Sequence, residues 1–291
     1  MPAIVQLLAE NPAIFLSYLA VFGLLVGSFL NVVIHRLPIM MENSWKQEFQ
    51  QYFNPDIPPE TPEVYNIVTP RSRCPKCQSE ITAKENIPVL SWLWLKGKCK
   101  NCQNPISIRY PLVEVITAIV SVMVGLQFGF SWACAAVLIF SWCMIALTAI
   151  DIDKMLLPDQ ICLPLMWLGL MLSINGTLIS SSDALIGAAA GYLSLWSLYW
   201  AFKLLTGKEG MGYGDFKLLA AVGAFVGWQQ LPIVILLSSL VGAVIGIAHL
   251  KFQGKDHAQP IPFGPYLAIA GWITLLYGDW IAATYWNWML H

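Results

Sequence analysis

Apolar and polar positions do not alternate along this chain; they come in blocks. A helix that crosses a membrane needs about 20 mostly apolar residues. The first such block runs from Ala13 to about Ile34, and a polar stretch follows from Leu37 to about Arg109. Apolar blocks then recur near 111–128, 131–150, 160–177, 184–205, 214–229, 231–250 and 264–284. The sixth of these eight, 214–229, is short for a span. The pattern predicts an all-α polytopic membrane protein with about eight transmembrane helices. Three parts are expected: a first transmembrane helix in 1–38, a small cytoplasmic domain in 39–110, and a seven-helix membrane core in 111–291. Within the polar stretch, Trp45 to Thr69 is rich in proline and acidic residues and reads as irregular loop.

Composition narrows the class. Apolar residues make up 57 % of the 291 residues and charged residues 11 %. An average soluble domain carries roughly 25 % charged residues, so a soluble globular enzyme lacks the polar cover it needs here. A disordered chain is excluded by the same figures. The net charge is −1, which leaves no global basic field to attract nucleic acid. The lipid bilayer is the expected partner. The start, MPAIVQLLAENP, has no basic segment before its apolar run, so no cleavable signal peptide is expected.

The few cations are distributed unevenly. Arg36, Lys46, Arg71, Arg73, Lys76, Lys84, Lys96, Lys98, Lys100 and Arg109 lie in or beside the polar stretch. Lys154, Lys203, Lys208, Lys217, Lys251 and Lys255 follow the third span, flank the fifth-to-sixth connection, or follow the seventh span. With eight spans, all 16 face one side. The connections near 129, 179 and 230 carry no Lys or Arg. The positive-inside rule makes the charged side cytoplasmic and puts both termini on the other side.

Seven cysteines are present, four of them in two CxxC pairs: Cys74 with Cys77, and Cys99 with Cys102. Two such knuckles supply four thiolates at the spacing of a structural Zn²⁺ site. A closed four-sulfur shell leaves no open position for water, so the metal is expected to be structural. Lys76, Lys98 and Lys100 offset its charge. Disulfides do not suit a cytoplasmic loop. Cys134, Cys143 and Cys162 stand singly in apolar blocks and read as small buried hydrophobes.

Ionisable groups at membrane depth mark function by default. Asp151, Asp153 and Asp159 follow the third span, and Gly210-Met211-Gly212-Tyr213-Gly214-Asp215 precedes the sixth. In the eight-span topology both segments reach the same membrane face. Two helix ends then bring carboxylates from different spans together. A pair of aspartates about 3 Å apart shares one proton, so one serves as base on water while the other polarises a carbonyl. That is peptide hydrolysis without metal. The glycines before Asp215 permit close approach of an extended peptide. Asp153 beside Lys154 also reads as a solvated pair. Asp159 also reads as a helix cap, and Glu114 as either structural or cavity-facing.

Taken in order, these segments resemble the type IV prepilin peptidases, bacterial inner-membrane aspartic proteases of the GxGD class. The resemblance covers nearly the whole chain. It rests on Gly27 to Pro38, on the four-cysteine segment, and on Asn86 to Trp92 and Ser107 to Pro111. It rests further on Asp151 with Leu157-Pro158-Asp159, on Gly212-Tyr213-Gly214-Asp215, and on Pro262-Phe263-Gly264-Pro265. The resemblance implies an enzyme that cuts the basic leader from prepilins and pseudopilins of type IV pili and type II secretion. It then N-methylates the new amino terminus with S-adenosylmethionine as donor. By motif, Asp151 and Asp215 become the catalytic pair and Cys74, Cys77, Cys99 and Cys102 the zinc ligands. The polar domain and Gly27 to Pro38 are candidates for the methyl-donor site by resemblance only. Gly27 and Ser28 read equally well as helix-packing residues. A transporter, or a secretion-assembly protein with a structural zinc domain, is the competing class. The scattered His35, His249, His257 and His291 form no HExxH, which argues against a metalloprotease.

Overall fold

The computed structural model describes residues 3–54, 65–253 and 262–289. Lys255, His257, His291 and residues 55–64 of the expected loop lie outside them. Among the described residues the chain is helical, with no strand longer than an isolated bridge. It divides into two compact units, Met1–Phe130 and Ser131–His291.

The first unit holds α1 (Ala3–Glu10), α2 (Pro12–Phe53), α3 (Leu90–Trp94) and α4 (Arg109–Phe128). The second holds α5 (Trp132–Lys154), α6 (Asp159–Ile174), α7 (Ser181–Thr206), α8 (Tyr213–Val226), α9 (Leu231–Gln253) and α10 (Gly264–Met289). Each of the eight expected spans has a helix at its place. Six of these helices are long and apolar enough to cross a membrane, which makes this a multi-pass membrane protein. The other two are α6, with 16 residues, and α8, with 14.

One local expectation needs correction, and one helix is additional to those expected. Trp45 to Phe53 is helix and not loop, because α2 runs 42 residues through Pro38. No proline or glycine follows Pro38 before Pro55, and Glu42, Lys46, Gln47, Glu48, Gln50 and Gln51 are good helix formers. The short α1, ahead of the first span, carries no cue in the hydropathy blocks. The two helices meet at Asn11, which is followed by Pro12 at the first helical position, where its missing N–H is harmless.

In the first unit, α2 packs closely on α4. A Cβ on Gly23 would lie 2.7 Å from the Ala118 Cα, and one on Gly27 would lie 2.6 Å from the Glu114 Cα. Glycines four apart let membrane helix backbones approach this closely. Further along α2, Arg36 is buried. Its guanidinium donates to the carbonyls of Asn66 at 2.9 Å, Ile67 at 3.4 Å and Pro70, and lies over the Tyr65 ring. This clamp fastens the 65–70 segment to the helix.

In the second unit, α8 is the core. Phe216 and every residue from Leu218 to Val226 are buried, so the helix is apolar on all sides and needs neighbours all round. Gly187 and Gly191 of α7 fit against the backbone at Gly223 and Leu219. Gly169 of α6 receives the Phe225 ring, and Gly271 of α10 receives Val222. On α5, Phe140 packs on Phe225, and Ser141 accepts a 2.9 Å hydrogen bond from the Trp272 indole of α10. A 14-residue helix is held by contact with its neighbours rather than by its own propensity.

Candidate functional site

The two aspartates stand at helix ends. Asp151 is in the last turn of α5, which stops at Met155 in the left-handed conformation, with Lys154 in that turn. Asp215 is in the first turn of α8, just after Gly212 and Gly214. Both are buried. They are the only buried carboxylates among the described residues of the second unit. Leu157 links their surroundings: it packs at Gly214, next to Asp215, and at Gly264, whose amide meets the Asp151 carboxylate.

Three elements converge on them. The turn between α5 and α6 brings in Leu157. A Cβ on Gly214 would lie 2.8 Å from the Leu157 Cβ, so Gly214 is needed where that side chain crosses the start of α8. The same leucine reaches the start of α10, where a Cβ on Gly264 would come within 3.1 Å of its Cδ2. The Gly264 amide donates to the Asp151 Oδ2 at 3.0 Å. This part of the Pro-Phe-Gly-Pro motif therefore reaches the site through its backbone. Nothing in residue type signals such a contact.

The other expected acids are placed differently. Asp153 is exposed. Asp159 is the first residue of α6, but Pro158 is the cap residue and no side-chain cap bond forms. Both Asp159 oxygens accept from the Lys217 ammonium at 2.7 Å. The pair joins the start of α6 to α8 two residues beyond Asp215. Tyr213 and Phe216, which flank Gly214 and Asp215 in sequence, form an aromatic group with Tyr199 of α7. Glu114, which the sequence left undecided, is in the first unit. Its carboxylate is buried and accepts from the Val89 amide at 2.7 Å, so it anchors the loop before α3. Val89 has φ +60° and ψ −49°, a backbone state that a β-branched residue keeps only where its surroundings enforce it.

The four cysteines come together in the first unit, with all four sulfurs within 4.8 Å of one another. Cys74 and Cys102 Sγ are 3.7 Å apart, and Cys77 and Cys99 Sγ 3.9 Å. A tetrahedral zinc site with bonds of about 2.3 Å has sulfur–sulfur edges of about 3.8 Å. The donor set therefore fits Zn²⁺ in both chemistry and geometry, and all seven cysteines are free of disulfides. The two knuckles repeat one another, a likeness that no inspection for long repeats would register. In the first, the Gln78 amide donates to the Cys74 carbonyl and the Cys74 amide to Ser79. In the second, the Gln103 amide donates to Cys99 and the Cys99 amide to Asn104. Gln78 and Gln103 both have φ +58°, and the knuckles close with matching bridges, Arg73 to Glu80 and Lys98 to Pro105. Bonds from the Ser79 hydroxyl and amide lower the Cys77 thiol to about 6, and the amides of Cys102 and Asn101 lower that of Cys99. Lys100, 3.1 Å from Glu85, ties the second knuckle to the 3-10 turn Ala83–Asn86.

Known proteins supply independent information. Residues 21–128 match the bacterial peptidase A24 N-terminal domain, and residues 138–247 match the type IV leader peptidase family. A prepilin leader peptidase/N-methyltransferase of Aeromonas salmonicida is 59 % identical over 286 residues, 98 % of each chain. Its counterpart in Pseudomonas aeruginosa is 55 % identical over 278 residues, 96 % of each chain. That of Dichelobacter nodosus is 48 % identical over 264 residues, 90 % of this chain and 91 % of that one. No solved structure matches this chain significantly.

Proposed function

The chain belongs to the type IV leader peptidase family, and from that premise we propose that Asp151 and Asp215 are the carboxylates with which it cuts prepilins. The activity itself is that of a prepilin peptidase with N-methyltransferase activity. The observation that carries the residue assignment is burial: the carboxylates at the end of α5 and the start of α8 are both withdrawn from solvent, and Leu157 packs both at Gly214 beside one and at Gly264, which holds the other.

The chemistry follows from that pairing. Two adjacent carboxylates hold one proton between them. The ionised member takes a proton from a water, whose oxygen attacks the scissile carbonyl carbon. The protonated member gives a hydrogen bond to the carbonyl oxygen as charge develops there. Collapse of the tetrahedral intermediate breaks the C–N bond, and the leaving amine takes up the proton. Neither metal nor acyl-enzyme enters.

The substrates are prepilins and pseudopilins. The reading places the pair at the cytoplasmic face of the bacterial inner membrane, with both termini periplasmic. Its support is the distribution of Lys and Arg in the sequence. A basic leader is then drawn to the Asp151, Asp153 and Asp215 face while the apolar pilin helix stays in the bilayer. In this reading Cys74, Cys77, Cys99 and Cys102 hold a structural Zn²⁺, which cross-links two loops and takes no part in cleavage. Methylation draws its methyl group from S-adenosylmethionine. The described residues include no strand–turn–helix cradle for that donor, and no residue is assigned to it.

The test uses purified full-length protein in detergent with a prepilin. Leader cleavage followed by mass gain at the new amino terminus is expected, and cleavage should persist after zinc is chelated. A protein that binds prepilin without cutting it would be an assembly factor. Cleavage that stops at once on chelation and returns with added metal would transfer the chemistry from the aspartates to the cysteine site.

A further inference from the structure

We propose that Gly264 is a positioning residue for Asp151, acting through its amide and through its lack of a side chain. The inference rests on the assignment of Asp151 to the catalytic pair.

Gly264 opens α10, and the first amides of a helix have no partner within it. Such amides are usually satisfied by an oxygen on the residue just before the helix, but that residue is Phe263. Its carbonyl accepts from the Tyr266 and Leu267 amides, and Pro265 has no amide. The Gly264 N–H instead donates to the Asp151 Oδ2, 113 residues away in sequence, in a buried hydrogen bond of 3.0 Å. Asp151 thus serves as the side-chain cap of a helix to which it does not belong. In return, the carboxylate plane is fixed by a backbone donor that cannot rotate away. One oxygen is committed to α10. Among the described residues no hydrogen bond reaches the other, Oδ1, which is left for water and Asp215.

The missing side chain matters as much as the amide. A Cβ on Gly264 would lie 2.6 Å from the Asp151 Oδ2 and 3.2 Å from its Cγ. The backbone at Gly264 is not in the left-handed region, unlike that of Gly207 or Gly227. Alanine is therefore conformationally permitted there. What excludes it is the carboxylate itself, the nearest group, with Leu157 Cδ2 next at 3.1 Å. A methyl group here must displace the acid by several tenths of an ångström and stretch its hydrogen bond. Proton transfer responds steeply to such misplacement, whereas a peptide bound along the site is little affected.

Cleavage kinetics of the purified full chain on a prepilin separate this role from packing. Gly264→Ala should lower kcat at least about tenfold with KM within about twofold and the melting temperature retained. Leu157→Ala added to it should bring no recovery. A wild-type kcat in Gly264→Ala overturns the proposal, as does a loss carried by KM or recovery on removing Leu157. Hydrogen exchange gives a second test that needs no change at Gly264. In the wild-type protein the peptide spanning Phe263 to Tyr266 should exchange slowly, and in Asp151→Ala about tenfold faster or more. Equal rates overturn the proposal. If Asp151→Asn cleaves at the wild-type rate, the catalytic assignment fails, and the exchange result still reports separately on the hydrogen bond.

Discussion

The cysteine cluster and the aspartate pair each gather charged groups that repel one another, and they do so by different means. The four sulfurs come from two short loops with the same internal hydrogen bonds, at a partly exposed site. Each loop presents its thiols through local backbone geometry, and in the proposed reading a zinc ion would supply the cohesion between loops. The two carboxylates come from different helices and are buried. Their cohesion is the close packing of α8 against its neighbours, together with Leu157 and the Gly264 amide at the helix ends. The cysteine site should therefore be sensitive to its ligands and indifferent to distant packing. The aspartate site should show the reverse.

The largest effect is expected from packing far from the carboxylates. A side chain on Gly223 would run into the Gly187 carbonyl. Gly223→Val should destabilise the second unit by about 3 kcal/mol and remove leader cleavage, while bound zinc stays near one ion per chain. Thermal melting and metal analysis of the same preparation test this, and loss of zinc along with cleavage would break the comparison. Next comes loss of a ligand. Cys99→Ser should abolish zinc binding and speed tryptic cutting at Lys96, Lys98 and Lys100 about tenfold. The kcat for cleavage should stay within about threefold of wild type. The smallest effect is expected at the Asp159–Lys217 pair, whose side chains are 50 % and 30 % exposed. Pairs in such settings contribute about 0.2–1 kcal/mol. Lys217→Gln should therefore change kcat by less than about threefold, and reversing both charges should restore it. A hundredfold loss would move this pair into the catalytic machinery.

The same contrast explains what could be read from the chain beforehand. The cysteine ligands are visible because their spacing is local: CxxC twice, with lysines between. The helices are visible because lipid leaves apolar blocks little alternative to helix. Even in α8, short as it is, Leu218 to Val226 stands out as an unbroken apolar run. Asp151 and Asp215 are conspicuous because carboxylates are rare in such a chain. What surrounds them is not conspicuous. Gly264 contributes an amide and an empty volume, and Leu157 contributes bulk, and neither property belongs to a residue type. The continuation of α2 past Pro38 is obscured for a related reason. Proline and acidic residues farther on gave the stretch a loop-like average, although residues 39–53 contain no helix breaker. Asp159 has the composition of a cap, yet its partner is Lys217 on another helix, a contact that only the packing of α6 on α8 creates.

The most direct test of the aspartate assignment is the single-turnover rate of leader cleavage by purified, folded Asp151→Asn and Asp215→Asn. The amide keeps the size of the side chain and removes only its ability to hold or yield the proton. Each variant should lose cleavage by about a thousandfold or more, with zinc content and melting temperature unchanged. Wild-type cleavage by either one would contradict the account.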